Sequence, residues 1–103
     1  MRYLFLLNPT AGKRDCTAEL VPAIQAAAQR AGIPPEKRKV VVTQYAGHAR
    51  ELAAEAAHTA QADGEPVRIW TAGGDGTFNE ALTGAQGCSL AAVGCLPFGS
   101  GND

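Results

Sequence analysis

Four short apolar runs set the terms on which this chain can fold. They are Arg2 to Leu7 ("RYLFLL"), Lys39 to Thr43 ("KVVVT"), Val67 to Thr71 ("VRIWT") and Ala91 to Leu96 ("AAVGCL"), and a helix-length stretch separates each from the next. The first run is apolar throughout rather than alternating, which fits a strand covered on both faces. The second is rich in β-branched residues, as strands are. Between them, apolar residues recur at helical spacing: Leu20, Ile24, Ala27 and Ala31 in Ala18 to Ala31, then Ala49, Leu52, Ala53, Ala56 and Ala60 in His48 to Ala62. Gly32 with Pro34, and Gly64 with Pro66, are stop signals for those helices. Pro22 is tolerable only in a first helical turn, so the first helix is expected to begin after Thr17. A short third helix is expected from Thr77 to Thr83, closed by Gly84. Alternating strands and helices with long crossovers predict an α/β chain, a three-layer α/β/α domain with a mostly parallel sheet of about four strands.

Composition narrows the function classes. With 103 residues, 46% of them hydrophobic and 18% charged, the chain has the make-up of one globular domain with a modest core. A net charge of −1 supplies no long-range attraction to nucleic acid or anionic lipid, so no nucleic-acid partner is expected. The one dense basic patch, Lys37-Arg38-Lys39, reads as a solvated strand entrance. Cys16, Cys88 and Cys95 make an odd count without C-x-x-C spacing, which argues against a disulfide framework or a metal site and fits a reducing cytoplasm. Cys95, in an apolar strand, reads as buried packing. Phe5 and Trp70 read as core. His48 and His58 stand ten apart and point to different faces of a helix, so no metal ligands are assigned. The apolar run Tyr3 to Leu7 is too short for a signal peptide, and nothing approaches a membrane span.

Three loops at strand carboxyl ends are rich in glycine or small polar residues: "NPTAGK", "AGGDGT" and "PFGSGND". Open α/β sheets bind ligands at that end, where the strand order reverses, and an order 2-1-3-4 would place the first two loops beside the reversal. Thr77 followed by Glu80 reads as a capping box, so that a helix starting at Thr77 would aim free N–H groups at the glycine loop, a site suited to an anion. Gly73, Gly74 and Gly76 remove side chains that would hold a phosphate away. Asp75 would repel bare phosphate and makes sense with Mg²⁺ or a hydroxyl that loses its proton between them. Bland readings stand beside these. The loop serves equally as a strand-to-helix turn, Glu80 as a cap, and Asn8 as an Asx turn before Pro9. Walker A is excluded because Leu7 stands where its first glycine belongs, and the dinucleotide fingerprint fails at Asn79.

Taken together, "NPTAGK" (8–13), "TQYAGHA" (43–49), "GGDGTFNE" (73–80) and "LPFGSGND" (96–103) resemble the catalytic domain of diacylglycerol kinases and their bacterial lipid-kinase and sphingosine-kinase relatives. The G-G-D-G-T element alone is shared with NAD kinases and, loosely, phosphofructokinases. The resemblance implies an enzyme whose N-terminal part is an α/β nucleotide-binding domain and whose C-terminal part is a β-rich domain holding the lipid. ATP with Mg²⁺ would sit in the cleft between them. By match of motif, Asn8, Thr10, Gly12 and Lys13 would lie near the nucleotide phosphates and Thr43 close to the nucleotide. Gly73, Gly74, Gly76 and Thr77 would form the phosphate loop with Glu80 in support, and Asp75 would be catalytic. Gly99, Ser100, Gly101 and Asn102 would close over the nucleotide; Ser100 departs from the threonine of many members. His48 lies inside a motif, which would allow a nucleotide contact, but packing at a helix start is the preferred reading.

The sequence stops in a loop soon after its fourth strand, so residues 1–103 are expected to be the N-terminal part of a longer kinase, inactive without its β-rich domain. That parent is expected to be cytoplasmic and peripheral at the inner membrane surface, where its lipid lies. The alternatives are an NAD kinase-like kinase of a soluble substrate and a non-catalytic nucleotide-binding or assembly module. The exposed sheet edge suits a homodimer.

Overall fold

In the computed structural model, residues 1–9 and 17–96 are described. The elements run β1 (Arg2–Leu7), α1 (Thr17–Arg30), a 3₁₀ turn (Pro35–Lys37), β2 (Arg38–Val42), α2 (His48–Asp63), β3 (Val67–Ala72), α3 (Asp75–Gly84) and β4 (Ala91–Cys95). All four strands are parallel, in the order β2-β1-β3-β4. The expected α/β architecture and strand order are both present. The central strand β1 pairs Phe5 with Val40 on one side and Trp70 on the other.

Alternation along β1 sorts its side chains into two cores. Leu4 and Leu6 pack with Val67 and Ile69 against alanines of α2 and α3. Phe5 and Leu7 point to the opposite face and pack with Ile24 of α1 and Ala72. Helices therefore cover both faces of the sheet, which explains the unbroken apolarity of β1.

The α2 face is built from small residues. Ala49, Ala53, Ala57 and Ala60 are buried, with Leu52 and Ala56 half-buried beside them. This stripe lets α3 approach closely: a Cβ on Gly84 would collide with the Arg50 carbonyl and stand 3.0 Å from the Ala53 Cβ. α2 ends at Gly64, whose φ of 70° lets its N–H reach the Ala60 carbonyl at 2.8 Å.

Several local expectations need correction. α1 starts at Thr17, so Pro22 lies beyond its first turn. Its ring is exposed, and the helix forgoes one hydrogen bond there instead of starting later. The buried face of α1 is Ile24 and Ala28 with Leu20 and Val21 at its margin, while Ala27 and Ala31 are exposed. Cys95 is exposed, as the last residue of an edge strand, and Cys88 is half-buried with its thiol directed at the Ala57 carbonyl. Phe5 is buried, but Trp70 is only half so. It lies across Gly94, where a Cβ would come within 2.7 Å of the indole, and Arg68 sits 6.0 Å from its ring centre. The basic patch is not simply solvated. Lys37 pairs with Glu65 at 2.8 Å and Arg38 bonds the Gln25 side chain, leaving Lys39 exposed.

Candidate functional site

The carboxyl ends of β1, β2 and β3 converge on a cleft of about 600 Å³. That volume lies within the roughly 300–1,000 Å³ of small-molecule sites. Asn8, Thr43, Gly73, Gly76, Thr77 and Glu80 line it, so six of the residues singled out from sequence share one cavity. The reversal of strand order falls between β1 and β3, at the floor of this cleft.

Each wall is anchored by the strand it leaves. The Thr43 N–H and hydroxyl both donate to the Leu7 carbonyl, at 2.7 and 3.2 Å. The Asn8 N–H donates to the Ala72 carbonyl at 2.9 Å, and its side-chain amide donates to the Thr77 hydroxyl at 3.3 Å. These bonds continue the sheet one residue past its strands and hold the loops in register.

Gly73 and Gly76 are glycines for different reasons. Gly73 has φ 150°, and a Cβ there would stand 2.6 Å from the Asn8 Cβ and 2.9 Å from the Thr77 hydroxyl. Only glycine fits between the β1 loop and α3. At Gly76 φ is not positive and a Cβ would meet nothing within 4 Å. The protein's own packing does not require glycine at that position, which faces open cleft.

α3 begins at Asp75 with Gly74 as its N-cap, two residues earlier than expected. The first helical hydrogen bond runs from the Phe78 N–H to the Gly74 carbonyl at 3.2 Å. The amides of Asp75, Gly76 and Thr77 therefore fall outside the helix's own ladder, at the positive end of its dipole. The capping box does not form, because Thr77 and Glu80 serve other elements. Thr77 is 4% exposed, receives the Asn8 amide and donates to the Gly73 carbonyl at 3.5 Å. The Glu80 carboxylate accepts the Gly47 N–H at 3.2 Å, tying α3 to the turn between β2 and α2.

Asp75 is exposed at the first position of α3 and is not among the cleft's walls. Gly74, also exposed, has φ 87° and likewise stands outside them. Thr10, Gly12, Lys13, Gly99, Ser100, Gly101 and Asn102, like Cys16, lie outside the described residues. Among the described residues, no three His, Cys, Asp or Glu side chains gather into a metal cluster.

The motif "TQYAGHA" is singled out from sequence, but no role was assigned to Tyr45 in its turn Gln44–Gly47, which forms one lip of the cleft. Tyr45 is 54% exposed and lines the cavity. Its hydroxyl donates to Glu51 at 2.7 Å, which raises the phenol's pKa. Its ring stacks on His48, centroids 4.4 Å apart and planes at 16°. His48 Nδ1 accepts the Gln44 N–H at 3.0 Å, so His48 organises this turn as the first residue of α2. Nothing in the spacing of "TQYAGHA" marks Tyr45; an aromatic residue in a loop has no periodic pattern to betray it.

A parallel α/β sheet in which Asn8 and the Gly73–Thr77 turn meet at the reversal of strand order has the layout of the α/β domains whose ligands bind at that end of the sheet. The comparisons with known proteins narrow this. The family profile described as the diacylglycerol kinase catalytic domain matches residues 2–103, and the chain belongs to that family of lipid kinases. It is also 35% identical over 108 residues to sphingoid long-chain bases kinase 1 of Arabidopsis thaliana, an alignment covering 98% of this chain. The chain spans 13% of the length of that relative.

Proposed function

We propose that this chain is the ATP-binding part of a kinase that transfers the γ-phosphoryl group to a lipid hydroxyl, of diacylglycerol or a sphingoid base. The observation that carries this reading is the cleft wall formed by Gly73, Gly76 and Thr77. The Gly76 and Thr77 amides lack helical partners, and Gly76 leaves the surface beside them without a side chain, which suits close approach by a phosphate chain.

Phosphoryl transfer is catalysed mainly by positioning and by neutralising charge on the transferred group. The α3 amides would hold phosphate oxygens, and the anchored Asn8 and Thr43 would fix the loop around them. Mg²⁺ commonly binds through one or two carboxylates together with substrate phosphates and water. The exposed Asp75 carboxylate fits that role, and Mg²⁺ would supply charge neutralisation there. Asp75 fits equally the part of a base taking the proton from the acceptor hydroxyl. Thr10, Gly12, Lys13 and the Gly99–Asn102 loop complete the site in this reading, and a β-rich C-terminal domain supplies the lipid contacts. The lipid resides in a membrane, so the enzyme works at its inner surface from the cytoplasm. Among the described residues, no helix is long and apolar enough to cross a membrane.

The test is a phosphorylation assay of the full-length protein with lipid and soluble acceptors side by side. Lipid should be phosphorylated and NAD should not. Asp75→Ala should lower the rate by roughly 100-fold or more, the scale of a general acid–base contribution, while the melting temperature stays unchanged. NAD as the sole acceptor would sink the lipid reading, and a fully active Asp75→Ala would remove Asp75 from the mechanism.

A further inference from the structure

The turn Gln44–Gly47 carries an aromatic surface that the phosphate-binding loop does not use. We infer that the outer face of Tyr45, backed by His48, is a stacking platform for the nucleobase of the ligand whose phosphates rest at α3. This rests on the reading above and adds to it the residue that makes the site prefer a nucleotide over bare polyphosphate.

Three observations converge on it. Tyr45 is more than half exposed and borders the same cavity as Gly76 and Thr77, so a ligand on the α3 amides can extend toward it. One face of the ring is covered by the near-parallel His48 imidazole, which leaves the other for a planar group. The ring is also fixed at both ends. Its hydroxyl is held by Glu51, and the imidazole behind it is held through Nδ1 by the Gln44 N–H. An exposed tyrosine in a turn ordinarily keeps its rotamer freedom, and ordering it on binding would subtract from affinity. Here the bond to Glu51 and the stack on His48 already restrict that freedom. Every base has a π-face, so the platform takes purines and pyrimidines alike, with the larger purine gaining more contact area.

The turn is joined to α3, whose first residues carry the proposed anion site, by the bond from the Gly47 N–H to Glu80. Platform and anion site therefore keep a fixed spacing, as a ligand with phosphates at one end and a base at the other requires.

The test measures Mg²⁺-ATP and Mg²⁺-tripolyphosphate affinities by calorimetry for the protein and for Tyr45→Ala and Tyr45→Phe. On the inference, Tyr45→Ala weakens ATP roughly 5- to 150-fold, the scale of one base–aromatic stack. Tripolyphosphate affinity stays within about twofold, because the phosphate contacts are untouched. Tyr45→Phe keeps the ring and most of the ATP affinity. Unchanged ATP affinity in Tyr45→Ala overturns the platform while leaving the phosphate site standing. Equal loss of both ligands also overturns it, since the effect would then run through loop position rather than base stacking. If the unaltered protein binds neither ligand, the nucleotide site itself fails and takes the platform with it. Retained tripolyphosphate binding shows that a variant is folded.

Discussion

Replacing Gly73 and Gly76 in turn by alanine separates a glycine the fold requires from one that a ligand would require. At Gly73 two costs add. A non-glycine residue at positive φ costs about 1–3 kcal/mol. Inserting a methyl into closed packing costs about 1–3 kcal/mol more, and the 2.6 Å approach to the Asn8 Cβ leaves no room for relaxation without moving the β1 loop. Together these come to about 2–6 kcal/mol out of the 5–15 kcal/mol that typically hold a domain folded. For a domain of this size each kcal/mol shifts Tm by about 4–8 °C, so Gly73→Ala should lower it by at least about 8 °C. Gly76 is the opposite case. Its φ is not positive and a Cβ there meets nothing. Gly76→Ala should gain about 0.4–1 kcal/mol, because alanine has less freedom to lose from the unfolded chain. Thermal melts followed by far-UV circular dichroism read both values. On the proposed function, Gly76→Ala also weakens Mg²⁺-ATP, so the stabilised variant is the one that binds worse. A Gly73→Ala melt within about 3 °C of the unaltered protein would refute the packing argument. Equal destabilisation of both variants would refute the contrast.

Two further perturbations test how the site is held. Glu80→Ala should cost about 1–2 kcal/mol, because a part-buried carboxylate accepting a backbone N–H is a charge-assisted bond, and Glu80→Gln should recover most of it. Urea titration of both variants reads this, and a Glu80→Ala midpoint equal to that of the unaltered protein would show that the tether is idle. Glu65, bonded to Lys37 and to the amino terminus, has its pKa lowered from 4.5 to about 2. A depressed carboxylate pKa stabilises the fold above the unfolded value and loses that contribution as pH falls through the folded one, here between 4.5 and about 2. Stability against pH should therefore slope less steeply in that window for Glu65→Gln; parallel curves would remove Glu65 from the acid transition.

The sheet was legible because its signal is redundant. β1 is apolar on both faces, β2 is β-branched, and each crossover is long enough to return a parallel strand. Phase was harder to read where the residues carry no contrast. Ala26, Ala27 and Ala28 look alike in sequence, and burial selects Ala28 only because Ile24 fixes how α1 rolls onto the sheet. The α3 start was misplaced for a different reason. Thr77 and Glu80 satisfy a local rule, but each finds a partner distant in sequence, Asn8 and Gly47, and those partners are set by tertiary packing. Pro22 shows the converse, a local prohibition outweighed by the rest of a helix whose apolar face is buried. Of the cleft, the glycine loop was legible from composition, whereas Tyr45 came into view only once its ring had a neighbour.

The seam where α2 meets α3 has a bearing on ligand choice, although no ligand would touch it. Both helices begin at the rim of the cleft, and between Ala53 and Gly84 they run nearly backbone to backbone. The gap between the aromatic lip and the glycine loop is therefore gauged by the volume of a few side chains elsewhere in the molecule. A methyl group added at that seam would push the two rims apart, and a related kinase could change the length of the molecule it accepts without altering a single residue that contacts it.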